Sequence, residues 1–239
     1  MSTKNWIIFA AVCVVLFGGL IVWSSRDNID VSKVNTDKIQ PATKNSGSIA
    51  DHVFGNKNSK VVLFEYGDFQ CPGCGSTHPT IKAVSEKYEK QLAFVFRNFP
   101  LTTIHPNARA ASAATEAAGL NGKYWEMHNM IYENQDSWSS ASTEDRTNLF
   151  SQYAVNIGID ANTFEKTLTS KSSQINRKID FDRALGNKIG VSGTPTMYLN
   201  GKKLEPKQYD NDQALEKTLL KAFKENGITI PEDADKKDS

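Results

Sequence analysis

Two cysteines separated by two residues, in the segment Cys71-Pro72-Gly73-Cys74, constrain this chain more than any other feature. Residues 60–66, which are mostly apolar, predict a strand before them, and a helix is predicted to begin near Cys74. Thiols at the start of a helix can close a small disulfide, and the helix's free N–H groups and positive dipole end favour the thiolate of the first cysteine. Because the thiolate is the species that attacks a disulfide, the pattern predicts a redox centre.

Two other interpretations of the cysteine pair remain open at this point. A structural zinc ion normally takes four ligands, from two such pairs or from one pair and two well-spaced histidines. The chain has one pair; His78 could share a helix face with Cys74, but His52, His105 and His128 show no ligand spacing. A purely structural disulfide would remove little entropy from the unfolded chain, because the loop it closes is so short. Redox chemistry without a metal is therefore favoured.

Glu65 and Pro79 lie on either side of the cysteines. Glu65 stands in the middle of the predicted strand, where a carboxylate is costly unless it has a partner or a role. Burial would raise its pKa towards the range useful for proton transfer. A water-facing position on an edge strand is the alternative for this residue. Pro79 falls inside the helix that follows Cys74, where a proline is expected to kink it.

Another proline marks a segment far along the chain. Residues 191–199 place Pro195 at the start of a short apolar strand, which is followed by an Asn200-Gly201 hairpin turn. Proline is tolerated at the first position of a strand, and a cis peptide bond is possible there. The segment therefore predicts a hairpin with a proline at its entrance.

In this order along the chain, these motifs resemble the DsbA-like thiol:disulfide oxidoreductases of the thioredoxin superfamily, of the membrane-anchored extracytoplasmic type found in bacteria. The resemblance covers about residues 49–222. The segments that carry it are 64–74 (FEYGDFQCPGC), 94–101 (FVFRNFPL) with 105–109 (HPNAR), 110–132 with its stretch 122–128 (GKYWEMH), and 193–196 (GTPT).

The resemblance implies the roles of the reacting residues. Cys71 would be the nucleophile, Cys74 the resolving thiol and Glu65 the buried acid behind the pair. The dipeptide between the cysteines is Pro-Gly, whereas the best-known oxidases of the group carry Pro-His. The missing histidine removes one contribution to the thiolate, so an extremely oxidising potential does not follow from the resemblance.

The resemblance also implies a substrate surface. Pro195 would be the cis-proline that faces the disulfide, with Thr194 before it, and substrate would bind there and at Pro72 and Gly73. The backbone beside Pro195 would pair with an extended client as an added β-strand. Pro79 resembles the helix-kinking proline of thioredoxin.

The expected architecture is an α/β thioredoxin fold interrupted by a helical insertion. The two halves of the core would be residues 49–100 and 190–226, and the domain would extend to residue 230. The insertion, at about residues 105–189, is predicted to contain helices at 107–120, 123–133, 143–156, 160–168 and 172–189, with Ser142 and Asp145 forming a capping box and Asp160 a cap. Helical spacing assigns six apolar residues to the core of the insertion, and an exposed subset of them could form a substrate groove. The six are Tyr124, Trp125, Met127, Met130, Ile131 and Trp138.

Composition agrees with one globular domain plus appendages. The chain has 239 residues, of which 39% are hydrophobic and 23% charged, and a formal net charge of +1. This near-zero balance gives no reason to expect a nucleic-acid partner, for which a clustered basic surface would be needed. A monomer is expected, because the region before residue 49 offers no dimerisation domain.

The N-terminal region predicts a membrane anchor. Residues 6–23 form 18 uncharged residues bracketed by tryptophans, which as a helix would span about 27 Å of a hydrocarbon core about 30 Å thick. Residues 1–26 are therefore interpreted as an uncleaved single-pass anchor, with Cys13 as an apolar residue in lipid and a cleaved signal peptide as the alternative. Residues 27–48 are predicted to be a flexible linker and residues 231–239 a disordered charged tail.

Together these features predict an enzyme of the cell membrane with an extracytoplasmic domain that introduces disulfides into exported proteins. Electrons would leave reduced, unfolded clients through Cys71 and Cys74, while Glu65 moves the proton of Cys74. Family resemblance implies a membrane quinone-linked thiol oxidase as the recycling partner. Two other functions remain open: a disulfide reductase or isomerase, and a non-redox thioredoxin-like module that binds clients.

Overall fold

The computed structural model describes residues 29–230. The anchor predicted at residues 6–23 and the tail predicted at 231–239 lie outside this range. Within it, no helix combines the length and the apolar character that a membrane crossing requires.

The described residues build one mixed β-sheet. Its strands are β1 (Val53–Gly55), β2 (Val61–Gly67), β3 (Leu92–Asn98), β4 (Thr196–Leu199) and β5 (Lys202–Lys203). They lie in the order β1-β3-β2-β4-β5, with β2 parallel to β3 and antiparallel to β4. All residues of β3 and all but one of β2 are buried, as their nearly continuous apolar sequences require. The last residues of β2, Tyr66 and Gly67, are therefore buried inside the domain.

Helix α1 (Pro72–Lys87) is the next element after β2 and begins two residues before the predicted start. Proline suits the first turn of a helix, because its missing N–H would have no intrahelical acceptor there. Pro79 lies within the helix, which continues to Lys87. The apolar side of α1 packs through Ile81 and Val84, which are 2% and 3% exposed.

The predicted helical insertion is present between β3 and β4. Its helices are α2 (Ala108–Leu120), α3 (Tyr124–Glu133), α4 (Gln135–Trp138), α5 (Thr143–Asn156), α6 (Ala161–Ser170) and α7 (Ser172–Lys188). Both predicted N-caps are present: the amide of Asp145 donates to Ser142 Oγ at 3.1 Å, and that of Thr163 donates to Asp160 Oδ1 at 3.0 Å. The Asp145 carboxylate accepts from the Ser142 hydroxyl at 2.8 Å, whereas in a capping box it would accept from the Ser142 amide. The short helix α4 was not predicted.

The predicted core of the insertion is confirmed. Met127, Ile131 and Trp138 are fully buried, while Trp125 and Met130 are partly buried and pack against them. Trp138 also donates from its indole N–H to the carbonyl of Ile131 at 2.9 Å. Trp125 packs against Phe94 of β3 with ring centroids 5.3 Å apart and, with Phe54 and Ile81, lines a pocket at the surface.

The C-terminal half of the thioredoxin core follows the insertion. The hairpin of β4 and β5 turns at Asn200 and Gly201, whose φ angles of 49° and 78° are the left-handed values that an Asn-Gly turn supplies. A 3₁₀ turn at Pro206–Gln208 leads to α8 (Asp212–Glu225). Helix α8 packs on α1, where Lys87 pairs with Glu216 at 2.7 Å.

Within the linker predicted at residues 27–48, the compact unit that holds the domain begins at Val31. Residues 31–48 form neither helix nor strand, but their backbone carbonyls accept hydrogen bonds from the domain. Arg97 donates to the carbonyls of Thr36 and Lys38 at 2.6 and 2.7 Å, and Lys188 donates to that of Val34 at 2.7 Å. The polar composition suggested a solvated segment, whereas these cations hold its backbone in place.

A buried ion-pair cluster stabilises the junction of this segment with β3 and α7. The Asp51 carboxylate accepts from Arg97 at 2.9 Å and from Lys178 at 2.8 Å, and Lys178 also pairs with Asp182 at 2.6 Å. These side chains are at most 1% exposed. The two cations lower the pKa of Asp51 to about 2, against the effect of burial.

Candidate redox centre

Cys71 lies at the N-cap of α1, where the backbone is still extended. Its side chain points to the loop before β4, where Sγ, when protonated, donates to the carbonyl oxygen of Thr194 at 3.3 Å. The residue is 8% exposed, and both it and Cys74 are free thiols. The nucleophile predicted from the sequence therefore lies just below the protein surface, between the helix start and the loop that carries Pro195.

The pKa of Cys71 is lowered to about 5. The thiol of Cys74 contributes most, by donating a hydrogen bond to the Cys71 sulfur; burial opposes this effect. Smaller contributions come from Thr194 and from the backbone amides of Gly73 and Cys74, which are free donors of the first helical turn. At neutral pH the thiolate is thus the main form of Cys71.

Cys74 has the opposite environment. It is fully buried, and burial raises its pKa well above the ordinary value, as do its hydrogen bond to Cys71 and the neighbouring charge of Glu65. The two sulfurs therefore differ in both access and protonation. This asymmetry is what a nucleophilic thiol and a resolving thiol require.

Glu65 occupies the centre of the sheet. It lies on β2 between Phe96 of β3 and Met197 of β4, and it is 3% exposed, so the alternative position on a water-facing edge strand is wrong. Burial, and secondly the negative charge of Cys71, raise its pKa to about 8. At neutral pH the group is mainly protonated and within one unit of its pKa, which suits it to give and take a proton.

The loop before β4 brings the predicted substrate residues to the cysteines. The Thr194–Pro195 peptide bond is cis, as the sequence allowed. A Cβ atom placed on Gly73 would lie 3.4 Å from Pro195 Cδ and 3.6 Å from Cys71 Sγ. Pro72 and Gly73 are exposed. Gly73, Thr194 and Pro195 thus border Cys71, the predicted nucleophile, and a Cβ atom at position 73 would make ordinary van der Waals contacts there.

Asp68 is a buried residue of the centre that the sequence analysis did not single out. Its Oδ2 accepts hydrogen bonds from the amide of Leu101 and from His105 Nδ1, both at 2.8 Å, and its Oδ1 accepts from the amide of Gln70 at 2.8 Å. Its own carbonyl accepts from the amide of Cys71 at 3.0 Å. Asp68 therefore fixes the loop between β2 and α1. Its position directly after a buried strand was the available signal.

The helical insertion also contacts this loop through polar side chains. Gln70 accepts from the amide of Asn107 at 2.6 Å and donates to the carbonyl of Ser139 at 2.7 Å. Gln135, on α4, donates from Nε2 to the carbonyls of Phe69 and Cys71 at 2.7 and 2.9 Å. No local pattern marks these residues, because their partners come from distant parts of the chain.

Two histidines lie behind the cysteines in an aromatic cluster. His78 stacks on Tyr132 with ring centroids 4.9 Å apart, and His128 packs against Phe96 at 4.8 Å. Burial lowers the pKa of His78 to about 4 and that of His128 to about 3, so both are neutral at pH 7. In the part of the chain that the structure describes, no three His, Cys, Asp or Glu side chains are grouped to hold a metal ion.

The sequence profile of the family described as Thioredoxin matches residues 47–218. The chain belongs to the thioredoxin family. Solved structures with the same thioredoxin fold are DsbA-like proteins. They include BdbD from Bacillus subtilis (TM-score 0.62, 20% identity, 78% of this chain and 98% of that chain) and the thiol-disulfide exchange protein alpha-DsbA2 from Wolbachia pipientis (TM-score 0.60, 21% identity, 72% and 87%). The thiol-disulfide oxidoreductase MdbA from Corynebacterium diphtheriae is a third (TM-score 0.57, 18% identity, 74% and 93%).

Curated relatives of this thioredoxin-family chain include much longer proteins. It is 35% identical over 153 residues to the Na(+)/H(+) antiporter NhaA 1 of Mycolicibacterium vanbaalenii, covering 63% of this chain and 23% of that protein. It is 33% identical over 173 residues to the NhaA 1 antiporter of Salinispora arenicola, covering 72% and 25%. The chain thus spans about a quarter of the length of these relatives.

Proposed function

We propose that this protein is a thiol:disulfide oxidoreductase that oxidises client proteins through Cys71 and Cys74. The observation that carries the proposal is the asymmetry of the pair: the pKa of Cys71 is lowered to about 5 and that of buried Cys74 is raised. A stabilised thiolate favours the dithiol form of the protein over its disulfide, and a disulfide that is readily reduced is an oxidant. The thioredoxin fold and the DsbA-like solved structures support this assignment.

The reaction transfers a disulfide in two exchanges. A client thiolate attacks Cys71 Sγ, a client–Cys71 disulfide forms, and the Cys71–Cys74 bond breaks with Cys74 as the leaving group. A second client thiolate then attacks the client sulfur of this mixed disulfide and releases the Cys71 thiolate. The client loses two electrons and two protons, and the protein gains the electrons as its dithiol.

Glu65 would provide the proton that Cys74 needs. Cys74 leaves as a thiolate inside the protein, where burial makes its charge unfavourable. The protonated carboxyl of Glu65 would transfer its proton to that sulfur and recover it when the disulfide forms again. Its raised pKa, about 8, keeps the proton available at neutral pH.

The cellular setting belongs to the same proposal. An oxidant of proteins suits an oxidising compartment, so the domain would lie outside the cytoplasm, held to the membrane by residues 6–23 and acting on reduced exported proteins. A membrane quinone-linked thiol oxidase would regenerate the disulfide. Extended clients would bind along the backbone beside Thr194 and Pro195.

The redox potential of the pair tests the direction of electron flow. The full chain, carrying Cys13→Ser so that only the pair titrates, is equilibrated with glutathione buffers and the dithiol fraction is measured. We expect a potential above about −200 mV, nearer to the strong oxidants at about −120 mV than to thioredoxin at about −270 mV. A value near thioredoxin's would support the reductase alternative, and the absence of any redox transition would support the binding module.

A further inference from the structure

We propose that Gln135, which the helical insertion supplies, is a positioning residue of the redox centre: it holds the backbone of Cys71 so that the helix start stabilises the thiolate. The inference rests on the redox function proposed above. It assigns to the insertion a part in the chemistry of the pair.

The contact is a double hydrogen bond from one side chain to the active-site loop. Gln135 Nε2 donates to the carbonyl of Phe69 at 2.7 Å and to that of Cys71 at 2.9 Å. A primary amide has two N–H donors, and both are used here. The bonds bracket Gln70 and so fix the turn that leads into α1.

The surface of α1 is shaped for this side chain. A Cβ atom on Gly75 would collide with Gln135 Oε1 and would lie 2.9 Å from its Cδ. Gly75 has an ordinary helical backbone and no left-handed φ angle. The space that the missing side chain leaves is therefore what allows Gln135 to approach the first turn of the helix.

Gln135 is carried by a rigid support. It begins the short helix α4, which ends at Trp138. Trp138 is fully buried, packs on Phe150 with ring centroids 5.4 Å apart, and donates its indole N–H to the carbonyl of Ile131. The amide of Gln135 is thus held from the core of the insertion, as a positioning residue must be.

The carbonyl of Cys71 links this contact to the thiolate. It accepts from Gln135 and also from the amide of Gly75 at 3.0 Å, the first hydrogen bond of α1. With this carbonyl fixed, Cys71 Sγ stays against Cys74 and the amide of Gly73, the groups that lower its pKa. Loss of the amide donors would let the N-cap residue shift and would weaken those hydrogen bonds.

The test measures the pKa of Cys71 in Gln135→Met, which keeps the length of the side chain but has no donor. The reduced full chain in the Cys13→Ser background is titrated by thiolate absorbance and by alkylation rate against pH. Because one neutral hydrogen bond is worth about 0.5–1.5 kcal/mol, we expect the midpoint to rise by about 0.4–1 pH unit. In glutathione buffers the variant should be roughly two- to ten-fold less oxidising.

A second variant keeps the proposal testable if Gln135→Met does not fold. Gly75→Ala keeps residue 135 as Gln but fills the space that its side chain occupies, so it should also raise the Cys71 midpoint. The double variant should raise it little more than either single variant. Gln152→Met, an exposed glutamine on α5, is the matched control and should leave the midpoint unchanged.

The outcomes separate this proposal from the function on which it rests. If the parent protein shows a low Cys71 midpoint and a redox transition, but Gln135→Met and Gly75→Ala titrate as it does, Gln135 is only a structural contact and the proposal is wrong. Equal losses of thermal stability in the oxidised and reduced forms, with no change in midpoint, lead to the same conclusion. If the parent protein itself shows no lowered Cys71 midpoint and no redox transition, the proposed redox function is wrong, and the role of Gln135 is wrong with it.

Discussion

Two buried regions of this protein place carboxylates in similar isolation from water but shift their pKa values in opposite directions. Glu65, at the centre of the sheet, has a pKa raised to about 8, whereas Asp51, in the ion-pair cluster, has a pKa lowered to about 2. Burial is the largest cause at both and raises both values. The difference comes from the neighbours, because Asp51 faces Lys178 and Arg97 while Glu65 faces the charge of Cys71.

The contrast separates a group that holds the fold from one to which we assign a proton transfer. A carboxylate paired with two cations keeps its charge across the physiological range and stabilises the junction it lies in. A carboxyl group without a cation lies near its pKa at neutral pH, at a cost in stability, and becomes able to exchange protons. The same desolvation therefore suits a structural use in one region and the proposed proton transfer in the other.

The largest expected effect comes from unpairing the ion-pair cluster. Lys178→Met removes the cation shared by Asp51 and Asp182 and leaves both carboxylates buried. Removing one partner of a buried pair typically costs about 3–5 kcal/mol, so urea unfolding of the oxidised protein should show a loss of that size. The pKa of Cys71 should not change in the folded fraction.

Two comparisons check this prediction. Lys166→Met, at an exposed position on α6, should change stability by less than about 0.5 kcal/mol. Adding Asp182→Asn to Lys178→Met should recover part of the loss, because one uncompensated carboxylate is removed. A loss below about 1 kcal/mol for Lys178→Met would mean that the cluster does not stabilise the junction as argued.

The ion-pair cluster also shows where sequence reasoning stops. Strand β2 was predicted within one residue at each end and helix α5 at its exact bounds, because apolar sequence and the Ser142 cap are local signals. Arg97 carries no local signal, since its acceptors come from other segments, and Lys178 has only Asp182 on its own helix. The predicted linker at residues 27–48 is polar in sequence, but its carbonyls at Lys38 and Val34 accept from Arg97 and Lys188.

The redox centre was more predictable because its chemistry is concentrated in short motifs. One strand–helix unit contains Glu65, Cys71 and Cys74, and Pro195 is recognisable because it stands directly before a strand. Their roles as reacting groups stay predictions until they are tested. The supporting contacts of Asp68 and Gln135 could not be predicted, because they depend on how the insertion packs on the loop.

The second-largest effect should be a gain in stability from Glu65→Gln. Because the pKa of Glu65 is raised on folding, the folded protein holds a proton that the unfolded chain releases above pH 4.5, and stability falls as pH rises from 4.5 to 8. Gln cannot ionise, so the variant should be more stable by roughly 1–4 kcal/mol at pH 8 and by nothing below pH 4. Urea unfolding of the reduced parent and variant against pH measures this difference, because the Cys71 charge that helps to raise the pKa exists only in the reduced protein.

Glu65→Gln should also slow formation of the client–Cys71 mixed disulfide in single-turnover experiments, because the proton donor for the leaving Cys74 sulfur is lost. Glu116→Gln is the matched control with the opposite sign. The carboxylate of Glu116 is equally buried but pairs with His52 at 2.9 Å, and its pKa is lowered, so the variant should lose stability at neutral pH. If both variants changed stability in the same direction, the comparison between paired and unpaired carboxylates would fail.

The smallest expected effect concerns the hydroxyl of Thr194, a neutral group that acts on a charge. This hydroxyl is buried and hydrogen-bonds to no other described group, so it is available to donate to the Cys71 thiolate, and Thr194 lowers the pKa of Cys71. Thr194→Val keeps the shape of the side chain but removes the donor, so the Cys71 midpoint should rise by about 0.5–1 pH unit. Thr196→Val is the control on the other side of Pro195, since its hydroxyl donates to the carbonyl of Gly193 at 2.7 Å and should not affect the midpoint.

Thr194→Val should also change the stability of the reduced protein, with a sign set by the lowered pKa of Cys71. A thiol whose pKa is lowered on folding stabilises the reduced protein above about pH 5, increasingly up to pH 9. Thr194→Val should therefore reduce the stability of the reduced form at pH 7 and leave that of the oxidised form nearly unchanged, and equal changes in both forms would show that the hydroxyl acts on the fold and not on the thiolate.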